Sequence, residues 1–342
     1  MWAVHVAESH VNDRVDEPGT GVADGRGAAR RVMAFLIERF PPAPQLVLMA
    51  VLFVAATTMP ELLLVPDVVE RVGDIEVGAA LCAFFAALLF VVRLRVFDDV
   101  KDADVDRVES PDRPIPRGLV SVRELDVTAV LILAIEGVLM ANVGVTSLWL
   151  WVIAAVWSIL MRVEFFAPEW LDRHPATFAI THMAVLGMLF GMMLAVGVEA
   201  RSGAVSLSEL LGSWLAMGAV LAATSIGIGF EWGRKFERYH AVHGERAWTL
   251  WLLWPSVGAL LFTVLVRDSY PIGAVVALVV VTMLTIVTHA LVMGQRAHPE
   301  ARGGIGDAPT GGVRDLVEQV PGGTGLLVYL ILAIAGIVEL VR

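Results

Sequence analysis

Hydrophobic residues in this chain are grouped into nine long runs that alternate with polar segments. Each run is long enough to cross about 30 Å of hydrocarbon as a helix. Before the third run, Ser121 and Glu124 form an S-x-x-E capping box, which predicts that a helix begins there. The pattern therefore predicts an all-α, polytopic membrane bundle of about nine helices. The runs cover roughly 44–65, 76–97, 122–143, 145–162, 176–198, 206–230, 247–267, 271–293 and 323–341.

The composition supports a membrane protein. Of the 342 residues, 57% are hydrophobic, whereas soluble domains are usually about 45–50% apolar. The net charge of −10 argues against nucleic acid as a partner. Because Cys82 is the single cysteine, a disulfide framework and a thiolate metal site are excluded. We expect residues 1–43 to be a largely disordered cytoplasmic tail, and 44–342 to form one transmembrane domain.

Positive charges indicate how the helices are oriented. If the N-terminus is cytoplasmic, the tail and four loops on that side contain 21 of the 25 Lys and Arg residues. Cytoplasmic loops are normally enriched in these residues. The sequence therefore predicts a multi-pass protein of the cytoplasmic membrane with its most charged loops facing the cytoplasm. These loops are 93–123, 162–175, 231–246 and 294–322.

An aspartate cluster follows the second hydrophobic run. Asp98, Asp102 and Asp106 are spaced four residues apart, so a helix places them on one face. Like charges at this spacing repel, and the end of a helix also disfavours negative charge. A cation is expected to offset both effects, and Mg²⁺ suits because it binds carboxylates together with phosphate oxygens.

Carboxylates with Mg²⁺ at a membrane surface suit the loss of diphosphate from an allylic lipid. The metal polarises the leaving group, and Arg or Lys side chains neutralise its remaining charge. The apolar helices offer a groove for the lipid chain. A second charged loop, 231–246, leaves the membrane on the same predicted side, so a reaction centre is expected between the two loops.

Residues 98–118 resemble the first signature of the UbiA superfamily of intramembrane prenyltransferases. That signature reads N-D-x-x-D-x-x-x-D followed by R-P-[IL]-x-x-G, and Asp98 stands where the family usually has Asn. The resemblance implies a UbiA-like helical bundle, with Asp98, Asp102 and Asp106 as Mg²⁺ ligands. The positions that match are Asp99, Asp102, Asp106 and Arg113, and the resemblance implies catalysis by these aspartates and diphosphate binding by the arginine. Asp98, at the asparagine position, is a further catalytic candidate.

The second signature of that family, D-x-x-x-D-x-x-x-G, is altered here. Counting back from Gly244, the aspartate positions hold His240 and Phe236. An E-x-x-R-K pattern lies just before them. We expect its carboxylate to orient the lysine four residues on, and its two cations to bind diphosphate oxygens directly. These predicted substrate-binding residues are Glu231, Arg234 and Lys235.

Three further polar residues are candidates. Many family members have a Lys-Arg pair after the fourth helix, and only Arg162 matches it, which implies that Arg162 reaches the diphosphate. Glu164 is expected to pair with Arg162 or with a cation. His182, inside the fifth run, is either a core histidine or a cavity group near the acceptor.

The sequence thus predicts a Mg²⁺-dependent prenyltransferase that transfers a prenyl group from a polyprenyl diphosphate to an aromatic or lipid acceptor. The altered second signature leaves two alternatives. One is a prenyl diphosphate cyclase, and the other is a non-catalytic protein that binds or transports isoprenoid lipids. A CDP-alcohol phosphotransferase is disfavoured because its D-G-x-x-A-R pattern is absent.

Overall fold

The computed structural model describes residues 27–40, 42–59, 75–201, 203–244, 246–297 and 311–341. These residues contain helices and no strand, which confirms the predicted all-α class. In chain order the helices are α1 (Ala28–Arg39), α2 (Pro42–Thr58), α3 (Val77–Lys101), α4 (Ala103–Glu109), α5 (Val122–Met140), α6 (Val145–Arg162), α7 (Pro168–Arg173), α8 (Pro175–Glu199), α9 (Leu207–Gly212), α10 (Trp214–Arg234), α11 (Phe236–His243), α12 (Arg246–Val266), α13 (Ile272–Ala297) and α14 (Gly311–Val341).

Six of the described helices are long and apolar enough to cross a membrane. They are α3, α6, α8 and α10, together with parts of α13 and α14. Shorter apolar stretches lie in α2 and α12. The remaining predicted run coincides with α5, whose 19 residues include four charged ones. The protein is therefore an integral membrane bundle, while the number of nine crossings stays a prediction.

The centre of the bundle is packed closely through small residues. Helix α10 lies against α8, α12 and α14. Gly258 on α12 is so close to α10 that a Cβ atom there would lie 2.7 Å from the carbonyl oxygen of Ala222. Glycines let membrane helices approach at such short distances. On α8, a Cβ atom at Gly187 would lie 2.9 Å from the carbonyl oxygen of Val220 on α10, so α8 and α10, which both supply residues to the cavity described below, are packed equally closely.

A buried ion pair ties three helices together. The Arg93 guanidinium on α3 donates two hydrogen bonds to Glu136 on α5, at 2.8 and 2.9 Å. It donates a third to Ser158 on α6 at 2.7 Å, and Trp151 donates to Glu136 at 3.0 Å. Both charged side chains are fully buried. Because every group has a partner, the pair can exist inside the bundle.

Part of the segment that the sequence predicts to be a largely disordered tail forms a helix. Residues 1–26 lie outside the described part, but Ala28–Arg39 is a helix rather than a largely disordered segment. Phe35 is fully buried in a cluster with residues of α3 and α5. Arg31 pairs with Glu124, and Arg39 pairs with Asp99. This apolar anchor and these ion pairs explain why residues 28–39, within the predicted tail, form a helix.

Candidate active site

A cavity of about 790 Å³ lies where α3, α4, α8 and α10 meet. The two charged segments singled out in the sequence both contribute to it, as expected. Eight carboxylates and six Lys or Arg side chains are among its lining residues. Of the nine predicted site residues, eight line this cavity: Asp98, Asp99, Asp102, Asp106, Arg113, Glu231, Arg234 and Lys235.

The aspartates reach the cavity because the helical repeat continues through the cluster. Helix α3 ends at Lys101, and α4 begins two residues later. The Asp102 amide donates to the Asp98 carbonyl at 2.9 Å, and the Asp106 amide donates to the Asp102 carbonyl at 2.8 Å. Asp98, Asp102 and Asp106 therefore share one face, as predicted. Asp104 lies off that face, with an 88% exposed side chain paired to Arg107.

Asp98 and Asp102 are the cluster's carboxylates that remain open to a ligand. Within the described part of the chain, neither side chain forms a salt bridge or hydrogen bond. The same part contains no group of three or more Asp, Glu, His or Cys side chains placed to hold a metal. Mg²⁺ usually takes one or two carboxylates and completes its shell with water and substrate phosphates. The pair Asp98 and Asp102 fits that requirement.

Asp99 and Asp106 are already engaged by arginines. The Asp99 carboxylate, 4% exposed, accepts from Arg39 at 2.7 and 3.0 Å, and Arg95 lies 3.4 Å away. Hydrogen bonding to Asp99 raises the pKa of Arg39 above its ordinary value. Arg113 donates to both Asp106 oxygens at 2.6 and 2.7 Å. A metal role for Asp106 therefore stays a prediction, and it would require the Arg113 pair to rearrange.

The segment after α4 turns back so that Arg113 can reach Asp106. Its end is marked by Gly118, which has a φ of +78°. Residues with a Cβ atom adopt such a left-handed conformation at a cost, so glycine is favoured there. The glycine of the R-P-x-x-x-G pattern thus has a local structural role in this chain.

The end of α10 forms a compact group of one carboxylate and two cations. Glu231, 2% exposed, lies 2.8 Å from an Arg234 nitrogen and 2.7 Å from the Lys235 ammonium. The predicted pairing of Glu231 with Lys235 is confirmed. Because two cations accompany one carboxylate here, the group presents a net positive charge to the cavity.

Aromatic rings on α8 lie beneath the charged groups. The Lys235 and Lys101 ammonium groups are 4.4 and 5.6 Å from the centre of the Phe178 ring. Phe178 stacks on His182, with 3.8 Å between the ring centres. His182 lines the cavity. The cavity therefore changes from charged to aromatic and apolar along α8.

A strained turn after α6 supplies one of the cavity carboxylates. Glu164, Phe165 and Phe166 have φ values of 46°, 53° and 58°. Consecutive left-handed residues other than glycine persist only where surrounding contacts hold them. Here Glu164 pairs with Lys101 at 3.2 Å, and Phe165 packs edge-on against Trp157. Of the two partners considered for Glu164, the cation Lys101 is the one observed.

Arg162 is the predicted site residue that the structure does not bring to the cavity lining. Its guanidinium pairs with Asp126 on α5 and lies 5.1 Å from the centre of the Phe97 ring. These contacts hold α6 against α5 and α3. Its predicted contact with diphosphate stays a prediction without support from its position.

Sequence reasoning missed three cavity cations, namely Arg39, Arg95 and Lys101. Arg95 and Lys101 lie next to the aspartate cluster, and the four-residue spacing of Arg95 and Asp99 was a usable signal. Arg39 gave no such signal, because 60 residues separate it from Asp99.

Comparison with known proteins identifies the fold. No protein-family model matches the chain, and no curated protein matches it. A solved structure of digeranylgeranylglyceryl phosphate synthase superposes with a TM-score of 0.62 at 14% identity, over 90% of this chain and 99% of that one. The apo structure of a UbiA homolog from Aeropyrum pernix K1 gives 0.58 at 19% identity, over 86% and 97%. The chain thus has the UbiA fold, and the resemblance seen in the sequence is confirmed at that level.

Proposed function

We propose that this protein is a Mg²⁺-dependent prenyltransferase that works within the membrane. Its donor would be a prenyl diphosphate, and its acceptor an aromatic or lipid molecule. The observation that carries the proposal is the juxtaposition, in one cavity, of the carboxylates Asp98 and Asp102, which are unpaired among the described residues, with the cations Arg234 and Lys235. Carboxylates for a metal and cations for phosphate oxygens are the two parts that diphosphate departure requires.

Some of these residues would bind the metal or the diphosphate, and another would hold the binding side chains in position. Asp98 and Asp102 would hold Mg²⁺, which supplies charge neutralisation of the leaving diphosphate when it is bound. Arg234 and Lys235 would donate to diphosphate oxygens, with Glu231 holding both side chains in place. Charge-assisted hydrogen bonds of this kind are about twice as strong as neutral ones.

The prenyl chain would occupy the apolar part of the cavity. The residues there carry no charge and belong to the membrane helices α3, α6, α8 and α10. A hydrocarbon chain that enters would therefore cover no charged side chain. They are Leu94, Met161, Met183, Val185, Leu186 and Phe230.

The proposed location is the cytoplasmic membrane, with the cavity mouth facing the cytoplasm. This sidedness is supported by the distribution of Lys and Arg among the loops. A soluble diphosphate leaving group would then be released into the cytoplasm.

Replacing one cavity aspartate tests the proposal. Asp102→Asn should weaken Mg²⁺-dependent binding of geranyl thiodiphosphate, a donor analogue that resists ionisation, by tenfold or more, because one metal ligand loses its charge. Asp104→Asn is the matched control, since Asp104 is two residues away but exposed, and it should bind the analogue normally. Equal effects of the two changes, or binding independent of Mg²⁺, would contradict the metal site.

A non-catalytic lipid-binding role is the second candidate, and one observation favours it. The aspartate positions of the second signature hold Phe236 and His240, so a second carboxylate metal site is missing there. Turnover separates the candidates. A transferase should release diphosphate when donor, Mg²⁺ and a pool of lipid alcohols and phenols are supplied, whereas tight binding without release would indicate a binding protein.

A further inference from the structure

One ring nitrogen of His182 has a hydrogen-bond partner among the described residues, and the other has none. Its Nδ1 atom lies 2.9 Å from the carbonyl oxygen of Phe178. A carbonyl oxygen only accepts hydrogen bonds, so Nδ1 carries the proton and Nε2 presents a lone pair. Nε2 is buried and has no hydrogen-bond partner in the described part of the chain. The side chain is 5% exposed and lines the cavity.

The ring is held in this orientation on two sides. Phe178 stacks on it at 3.8 Å between ring centres, and Phe165 from the strained turn lies edge-on at 6.0 Å. Because Lys101 and Lys235 sit above Phe178, His182 is one aromatic ring away from the proposed diphosphate clamp. It lies where the charged part of the cavity gives way to the apolar part.

Buried polar atoms normally have a hydrogen-bond partner. His289 also has a buried ring nitrogen without one among the described residues, but of these two histidines only His182 lines the cavity. A lone pair inside a ligand cavity is best satisfied by a ligand that donates a hydrogen bond. The diphosphate cannot do this, since its ionised oxygens only accept. The natural donor is a hydroxyl group on the second substrate.

We propose that Nε2 of His182 binds the hydroxyl group of the acceptor and takes its proton during transfer. This inference rests on the proposed function. The bond between prenyl C1 and the diphosphate oxygen breaks, and its electron pair leaves with diphosphate. The acceptor oxygen forms a bond to C1 with a lone pair, and its proton passes to Nε2. The imidazolium that results returns the proton to water after the product leaves.

The assignment defines the class of acceptor. A hydroxyl-bearing lipid fits, because its hydroxyl group would meet His182 where the charged part of the cavity gives way to the apolar part. His182 would then be a catalytic residue for the acceptor side of the reaction, separate from the aspartates and cations of the donor side.

His182→Gln tests the role, and His289→Gln is its control. His289 also lies in a membrane helix and has a buried Nδ1 without a partner in the part of the chain that the structure describes, but it does not line the cavity. Full-length variants should be compared for Mg²⁺-dependent binding of geranyl thiodiphosphate, and for diphosphate release from geranyl diphosphate with a pool of lipid alcohols and phenols. Loss of a general base typically slows turnover by about 10²- to 10⁴-fold.

We expect His182→Gln to keep analogue affinity within about threefold while turnover falls by that factor. Wild-type turnover should decline at acidic pH, with contributions from the imidazole and from the cavity carboxylates, and the variant should lose the contribution of the imidazole. A purely structural role would lower binding and turnover together and leave the shape of the pH profile unchanged, which would overturn the assignment.

Two other outcomes separate this inference from the proposed function. An active wild type with an equally active His182→Gln variant would overturn the role of His182 alone, as would a wild type that forms a hydrocarbon product without any acceptor. A wild type that binds the analogue but releases no diphosphate with any member of the pool would overturn the proposed transferase, and the role of His182 with it.

Discussion

Replacing Lys235 with alanine probes how the altered second signature works. In the structure the Lys235 ammonium lies 2.7 Å from Glu231 and above the Phe178 ring. An ammonium group has three donors, and the pair with Glu231 uses one of them. The others are available to diphosphate oxygens at the cavity. Lys235→Ala should therefore remove a direct contact with the ligand.

The size of the effect follows from the strength of that contact. A hydrogen bond to a charged group contributes about 1.5–3 kcal/mol, which corresponds to an affinity loss of about 10- to 150-fold. The change also leaves the buried Glu231 with Arg234 as its remaining ion-pair partner among the described residues. The cavity becomes more negative, so this second effect acts in the same direction on an anionic ligand.

The assay compares two ligands and two variants. Geranyl thiodiphosphate should bind Lys235→Ala more weakly by that factor, whereas geraniol, which lacks the diphosphate, should bind as it does to the wild type. Arg107→Ala is the control, because Arg107 is a 62% exposed cation paired with Asp104 outside the cavity. If both ligands weaken alike and slightly, the loop only anchors the protein by charge. If Lys235→Ala is silent while Glu231→Gln abolishes the Mg²⁺ requirement, the loop is a carboxylate metal site and the clamp is wrong.

Two further predictions concern the bundle and its orientation. Glu136→Gln should destabilise the protein by about 3–5 kcal/mol because it leaves Arg93 charged and unpaired in the interior. The double change Arg93→Met with Glu136→Leu should lower the free energy of unfolding, measured by thermal unfolding, much less. An equal loss of stability would show that packing rather than charge dominates. In a Cys82→Ala background, single cysteines at exposed positions 104 and 234 should resist an impermeant thiol reagent in intact cells. Ready labelling would place the cavity on the outer side.

Local features of the sequence were predictable because they depend on neighbours along the chain. The capping box is present as expected, with the Glu124 amide donating to Ser121 at 3.2 Å and the Ser121 amide donating back at 2.9 Å. The shared face of Asp98, Asp102 and Asp106 follows from the helical repeat. Each of these features could be predicted from the spacing of a few neighbouring residues.

Contacts between distant segments were not predictable. Arg93 and Glu136 are 43 residues apart, and Arg162 and Asp126 are 36 apart. The sequence gives the charge of each group but not which helices become neighbours. Arg162 illustrates the consequence, since its charge suited a diphosphate contact while the packing of α5 beside α6 gave it Asp126 instead.

The distribution of ion pairs also bears on how many metal ions the cavity would hold. Its lining residues include two more carboxylates than Lys and Arg side chains. Asp99 and Asp106 are engaged by arginines, and Glu231 is engaged by two cations. A second Mg²⁺ on the α10 side would have to displace Arg234 or Lys235 from Glu231. The pairing of Glu231 with two cations therefore favours a single proposed ion at Asp98 and Asp102, with the cations of α10 in place of a second.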